Sequence, residues 1–136
     1  MKKISRLKII LYALIIILFL LVAYFLTPIP APIKRTLFPL VALLGFVFLM
    51  LGIILIFLAR KEKGKLKLFL MLTGISAIVP FIFSILHNLF YGLAITFESF
   101  KLIFEILGAG FFIIAIIVAP IMFVVGIVGS FIFLRF

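Results

Sequence analysis

Three side chains in this sequence are candidates for acid–base chemistry or metal binding: His87, Glu98 and Glu105. One histidine and two carboxylates form a ligand set that a divalent metal accepts. The sequence nevertheless contains no Asp, no Cys, no second His and no His-Glu-x-x-His pattern. Its serines have no neighbouring base other than His87, whereas a nucleophilic hydrolase needs such a base beside its serine. We therefore predict no metal, no cofactor and no enzymatic activity.

Glu98, Lys101 and Glu105 are spaced by three and four residues. In a helix this spacing puts them on one face, where Glu98 and Lys101 form a stabilising ion pair. Counting helix length puts Glu105 roughly 15 Å outside the hydrocarbon core. We expect an ion-paired helix start in water or lipid headgroups. A last span that began at Leu102 would instead bury Glu105 in the membrane, where a carboxylate indicates function.

A second pattern, the polar stripe, lies in the third apolar stretch, where polar residues recur three or four positions apart on one helix face. Its members are Thr73, Ser76, Ser84, His87 and Tyr91, with Pro80 at the position between Ser76 and Ser84, and Asn88 beside His87. Pro80 leaves the carbonyl of Ser76 without its helical donor, and in lipid that carbonyl needs another partner. We expect the stripe to point into the bundle. It fits a pathway or pocket in which His87 titrates, and it equally fits helices held together by small polar residues.

Small residues on one face of the fourth apolar stretch predict close helix packing. Two glycines in the second stretch, seven residues apart, are expected to form a matching groove. The packing residues are Gly45, Gly52, Ala115, Ala119, Gly126 and Ser130. The pattern fits contacts within one chain and contacts in an oligomer alike.

Five cations occupy residues 60–67: Arg60, Lys61, Lys63, Lys65 and Lys67. Near a membrane surface, each contributes about 1 kcal/mol to the binding of anionic headgroups. The same cations also fit a role in membrane topology alone. The net charge of +10 does not indicate nucleic acid, because the cations are spread over membrane-flanking segments. The expected partners are the bilayer and its anionic headgroups.

The composition predicts the secondary structure on which these residues lie. Of 136 residues, 69% are hydrophobic, whereas soluble domains have about 45–50%. Together with a mean hydropathy of +1.66, this excludes a soluble domain and a disordered chain. We predict an all-α integral membrane four-helix bundle that forms a single domain over residues 1–136.

A helix needs about 20 apolar residues to cross a hydrocarbon core of roughly 30 Å. The predicted spans are residues 9–26, 37–59, 68–87 and 113–134. The prolines of 27–32 predict an extended connector, followed by Thr36 as the N-cap of the second span and Pro39 in its first turn. The surplus length of the last two stretches predicts that 88–112 forms an extracytoplasmic or interfacial hairpin, or helix extensions. The glycines at which these stretches are most easily broken are Gly92, Gly108 and Gly110.

The distribution of cations predicts the orientation. The N-terminal segment holds four Lys and Arg residues, residues 60–67 hold five, and Arg135 adds one, whereas the other two connections hold three. Cytoplasmic loops carry the excess of Lys and Arg. We therefore expect a multi-pass protein of the cell membrane with both termini in the cytoplasm.

Three segments of the sequence resemble a group of small uncharacterised prokaryotic four-span membrane proteins. They are residues 72–77 (LTGISA), 85–93 (ILHNLFYGL) and 120–129, which end in VGIVG. No known activity of the group can be transferred to this chain. The resemblance implies that the His-Asn-Leu-Phe-Tyr segment and the glycines of the fourth span belong together.

Few titratable groups, small-residue faces and little mass outside the membrane favour a protein that acts through helix–helix contacts, as an accessory or scaffolding subunit. One alternative is a small homo-oligomeric transporter or channel with the polar stripe along its path. Such a protein resembles the small multidrug transporters in size and span number, but their essential first-span Glu is missing, since no charge lies between Lys8 and Lys34. Another alternative is a lipid-binding protein that uses the outer hairpin.

Overall fold

The computed structural model describes residues 2–134, with side chains from residue 4 onward. The helices are α1 (Lys2–Leu26), α2 (Ala31–Ala59), α3 (Gly64–Thr96), α4 (Lys101–Ile113) and α5 (Ala119–Phe133). A 3₁₀ turn, Glu98–Phe100, precedes α4, and a π-helical turn, Ile114–Val118, joins α4 to α5. Arg135, counted above among the cations, and the side chains of Lys2 and Lys3 lie outside the described residues.

The predicted all-α class is confirmed, and four helical stretches within residues 2–134 are long and apolar enough to cross a membrane. They are Ile4–Leu26, Ala31–Ala59, Gly64–Thr96 and Glu98–Phe133. Long helices suit this composition, because a helix satisfies its backbone hydrogen bonds internally where no water is available. The chain is therefore suited to be a multi-pass membrane protein.

The α3 helix is central, since it packs against α2, α4 and α5, while α1 packs against α2. The ring of Tyr12 also meets that of Phe131 on α5, with centroids 5.2 Å apart. The core lies toward the end of the bundle that carries the α2–α3 turn, which we call the basic end because the cations of residues 60–67 are there. Its buried residues include Leu7, Leu11, Leu14, Leu55, Leu70, Ala77, Phe123 and Ile127.

The α2 helix begins earlier than the sequence predicted. Pro30 is its N-cap and Pro32 lies in its first turn, where a missing N–H leaves no hydrogen bond unmade. The extended connector is therefore shorter than predicted. Thr36 is not the N-cap, because it lies inside the helix and its hydroxyl donates to the Pro32 carbonyl over 3.0 Å. Pro39 is likewise an interior residue of α2 and not part of the first turn.

Residues 88–112 form the far ends of α3 and α4, joined by the turn at residues 97–100. Gly92, Gly108 and Gly110, expected as breakpoints, lie within continuous helix. The interruption comes instead at the π-helical turn, where the N–H of Ala119 bonds to the carbonyl of Ile114. Pro120 explains its position, since a proline ring clashes with the carbonyl four residues earlier and a π turn is one way to relieve that clash.

Away from the basic end, the helices separate into two pairs. The α1–α2 pair is joined where Tyr24 Oη donates to the Lys34 carbonyl over 2.9 Å, and the α3–α4 pair is joined at His87 and Gly108. Among the described residues, neither α1 nor α2 makes substantial contact with α4. At this opposite end, each hairpin is therefore held by its own contacts.

Candidate functional site

A close helix crossing joins α2 and α3 through two glycines. A Cβ at Gly52 would lie 2.9 Å from Cβ of Ala77 and 3.1 Å from the carbonyl oxygen of Gly74. A Cβ at Gly74 would lie 2.8 Å from the carbonyl oxygen of Gly52 and 2.6 Å from Cγ1 of Ile56. Real Cβ atoms do not approach other atoms so closely. The absence of a side chain at both positions is what lets the two backbones meet.

The α3 helix also meets α5 at close range, through the residue that precedes Gly74. A Cβ at Gly126 would lie 2.8 Å from the backbone nitrogen of Thr73. One turn further, the ring of Phe69 lies directly over Gly129 and stacks on Phe133, with centroids 5.5 Å apart. Because Thr73 and Gly74 are consecutive, α3 is clasped from both sides at one level. We call this level the glycine clasp, formed by Gly52, Thr73, Gly74 and Gly126.

All six packing residues predicted from the sequence are buried, but they are paired differently. Gly52 faces α3, and the nearest atoms to Gly45 belong to the ring of Phe81, also on α3, at 3.5 Å. The expected groove on α2 for the small face of α5 is therefore wrong. What links α2 to α5 is an aromatic contact, Phe48 with Phe123, whose centroids are 5.5 Å apart.

Gly74 and Gly129 are contact residues that the sequence reasoning missed. A signal for Gly129 was available, since Gly126 and Gly129 are three residues apart in α5 and such pairs share a helix face. For Gly74 a comparable signal is the small residue Ala77, three positions further on. The role of Gly74 depends on α2, whose rotation about its own axis the sequence does not give.

The polar stripe is divided into two parts with different surroundings. Thr73 and Ser76 are buried, and the Thr73 hydroxyl donates to the Phe69 carbonyl over 2.8 Å. Ser84, Asn88 and Tyr91 are exposed. The expectation that the whole stripe points into the bundle is therefore wrong for these three. It fails because no other helix of the described chain covers α3 at these three positions, which are exposed.

His87 is half-buried, and its Nδ1 lies 2.8 Å from the carbonyl oxygen of Gly108 on α4. Since a carbonyl only accepts, Nδ1 carries the proton and donates. The imidazole also lies against the ring of Phe112, with centroids 5.2 Å apart. A Cβ at Gly108 would lie 3.7 Å from Nδ1, an ordinary van der Waals distance, so the two helices are in contact here without the close approach seen at Gly52 and Gly74. His87 therefore joins α3 to α4.

The acidic residues at the opposite end form an exposed cluster. Lys101 Nζ lies 3.9 Å from Oε1 of Glu105, and both side chains are about half exposed or more. Glu98 lies in the 3₁₀ turn and not in α4, so the ion pair of Lys101 is with Glu105 and not, as predicted, with Glu98. With Tyr91 they line an open groove of about 520 Å³. An exposed pair of this kind contributes little to stability, and no group of three His, Cys, Asp or Glu able to hold a metal is found within the described residues.

At the basic end, Arg60, Lys61, Lys63, Lys65 and Lys67 are all exposed. Gly64 begins α3 with φ of +61°, a conformation that L side chains avoid. Two of the cations lie over aromatic rings: Arg60 over Phe57 at 5.1 Å and Lys65 over Phe133 at 5.7 Å. This end presents a dense positive surface beside the apolar helix faces.

A groove of about 550 Å³ runs from this positive surface along α3 and α5. Lys67 lies at its mouth, and its walls include Met71, Leu72 and Ile75 of α3 and Met122 of α5. The walls are apolar and flexible, since methionine adapts its shape to what it contacts. Comparison with known proteins adds no assignment to these features, because no family model, no curated protein and no solved structure matches the chain.

Proposed function

We propose that this chain is a non-enzymatic integral membrane protein that works through helix–helix contacts, as an accessory or scaffolding subunit. The proposal rests on the glycine clasp. Where α2, α3 and α5 cross, backbone meets backbone at Gly52, Gly74 and Gly126, which leaves no room for a solute path between these helices within one chain. The polar side chains at this level serve the packing, as the bond from Thr73 to the Phe69 carbonyl illustrates.

His87 supports the same proposal. Its Nδ1 donates a hydrogen bond to the Gly108 carbonyl, and its ring packs on Phe112. The side chain therefore connects α3 to α4. Interhelical hydrogen bonds of this type hold membrane helices together. The transporter alternative needs a titratable group along a polar pathway, and the polar stripe is divided between the core and the exposed surface.

We further propose that the protein resides in the cell membrane with the basic end and both termini in the cytoplasm. The excess of Lys and Arg in residues 60–67 and at the N-terminus supports this orientation, since cytoplasmic loops carry such an excess. The opposite end, with the turn at residues 97–100, is then extracytoplasmic.

Two interior helix glycines point to the surface where a partner would pack. A Cβ at Gly92 on α3, or at Gly110 on α4, would meet nothing within 4 Å. Glycine inside a helix costs about 1 kcal/mol relative to alanine, and no contact within the chain offsets this cost. A partner helix packed closely against the α3–α4 hairpin would offset it, because small residues permit such approach in membranes.

The test is extraction of the tagged chain from its native membrane in a mild detergent, followed by mass measurement of the complex. We expect a second membrane protein in stoichiometric amount. Gly92→Leu and Gly110→Leu should release this partner while leaving the purified chain folded. Phe25→Leu is the matched control, because Phe25 is exposed on the α1–α2 hairpin.

Recovery of a homo-oligomer with no second protein would contradict the accessory-subunit proposal and favour the transporter alternative. Retention of the partner in both glycine variants would contradict the assignment of its surface to the α3–α4 hairpin.

A further inference from the structure

The groove along α3 and α5 at the basic end has the shape and polarity of a lipid site. Its α3 wall follows one helix face, from Gly64 through Lys67 and Met71 to Ile75, at the three-and-four spacing of a single stripe. Gly64 and Ile75 are separated by about 16 Å along the helix axis. One leaflet of the hydrocarbon core is about 15 Å thick, so the groove runs the depth of one leaflet.

Charge is confined to one end of this groove. Lys67 is exposed at the mouth, and the remaining walls are leucine, isoleucine and methionine, with the backbone of Gly64 beside the lysine. A positive group at the headgroup level above a leaflet-deep apolar channel complements a molecule with a negative head and an apolar tail. Lys67 is the one cation among the groove residues, and a cation near an anionic surface contributes about 1 kcal/mol to lipid binding.

We infer that this groove binds one anionic phospholipid, with its phosphate at Lys67 and an acyl chain along Met71, Leu72 and Ile75 against Met122. The inference goes beyond the proposed contact function and takes from it only the membrane placement of the chain. A bound lipid of this kind fills the gap between α3 and α5 and fixes the depth of the basic end in the bilayer.

The absence of tryptophan from the sequence permits a direct test with a single fluorescent reporter. Ile75→Trp places the indole in the groove, at a side chain that is 46% exposed. Met50→Trp is the matched control on α2, at a side chain that is 41% exposed. The two lie at the same depth, because Gly52 contacts Gly74 and the two helices are antiparallel.

The purified variants are placed in vesicles of phosphatidylcholine and phosphatidylglycerol in equal amounts, with dibrominated chains on one lipid at a time to quench the indole. We expect brominated phosphatidylglycerol to quench Ile75→Trp more strongly than brominated phosphatidylcholine does. Met50→Trp should be quenched equally by the two. Leu68→Trp, at a groove residue that is 63% exposed, is a second reporter if the first variant does not fold.

Removing the charge at the mouth should remove the preference. Lys67→Gln in the Ile75→Trp background is expected to lower the preference for phosphatidylglycerol about fivefold, the ratio that corresponds to the contribution of one cation. Lys65→Gln is the control, since it makes the same charge change on α3, at a side chain that lies over Phe133.

Equal quenching of Ile75→Trp by both lipids would overturn the inference. An equal preference at Met50→Trp, or an equal loss in Lys65→Gln, would show general enrichment of anionic lipid around the basic end and would overturn it too. The purified chain is tested without any partner, so this result and the extraction experiment can fail independently.

Discussion

At the scale of single residues, two sets of helix glycines differ in what a methyl group would meet. A Cβ at Gly126 or Gly74 would lie within 3 Å of backbone atoms of a neighbouring helix, whereas one at Gly92 or Gly110 would meet nothing within 4 Å. A backbone atom in a packed helix cannot move aside as a flexible side chain can. The same residue type is therefore essential to packing in one group and has no role inside the chain in the other.

This difference predicts opposite effects of the same substitution. Gly126→Ala should lower the free energy of unfolding by about 1–3 kcal/mol, the usual cost of overpacking. Gly110→Ala, the matched control, should leave it unchanged or raise it by up to about 1 kcal/mol, because alanine favours helix. Reversible unfolding in mixed micelles, followed by circular dichroism, gives both values. Equal effects of the two substitutions would refute the close contact between Gly126 and Thr73.

At the scale of the elements, the sequence predicts helices better than it predicts their ends and their neighbours. Apolar length alone identifies the helical stretches, since lipid leaves a backbone little alternative. The start of α2 was predicted too late because Pro30 and Pro32 were interpreted as helix-breaking, although the first turn accepts proline. Burial of Gly52 and Gly126 was predictable from residue size. Their partners on α3 were not, because pairing depends on how each helix is rotated.

The length of α3 predicts how far the α3–α4 hairpin extends beyond the hydrocarbon core. The 33 residues of α3 extend about 50 Å. Even at the upper limit of observed tilts, about 40°, the helix extends about 38 Å along the bilayer normal, which exceeds the core thickness of roughly 30 Å. The end of the α3–α4 hairpin should therefore reach headgroups or water. In lipid vesicles Ser99→Cys should react rapidly with a water-soluble maleimide, whereas Ile75→Cys, about 16 Å from the start of α3, should not.

Both positions are exposed in the fold, so a difference in their reaction rates reports the bilayer and not packing within the protein. If Ser99→Cys were as unreactive as Ile75→Cys, the hairpin would lie in hydrocarbon. Glu105 would then be an intramembrane carboxylate, and a functional role for it would have to be considered.

At the scale of the whole molecule, packing and positive charge are concentrated at the same end. The core residues Leu7, Leu55, Leu70 and Leu134 lie close to the exposed cations of residues 60–67. Among the described residues, neither helix of the α1–α2 hairpin makes substantial contact with α4. A cytoplasmic basic end would fix the packed half of the bundle in the inner leaflet and leave the separated hairpins to meet other components in the outer leaflet.

This arrangement predicts the sidedness of the two ends, and the absence of Cys from the sequence makes single-cysteine labelling free of background. Thr27→Cys lies in the α1–α2 connection and Lys63→Cys in the α2–α3 turn. With a membrane-impermeant maleimide added to intact cells, Thr27→Cys should be labelled and Lys63→Cys should be labelled only after permeabilisation, because the excess of cations retains the basic end inside. Ser99→Cys should behave as Thr27→Cys does. The reverse pattern would invert the proposed topology, and would move the anionic lipid inferred at Lys67 to the outer leaflet.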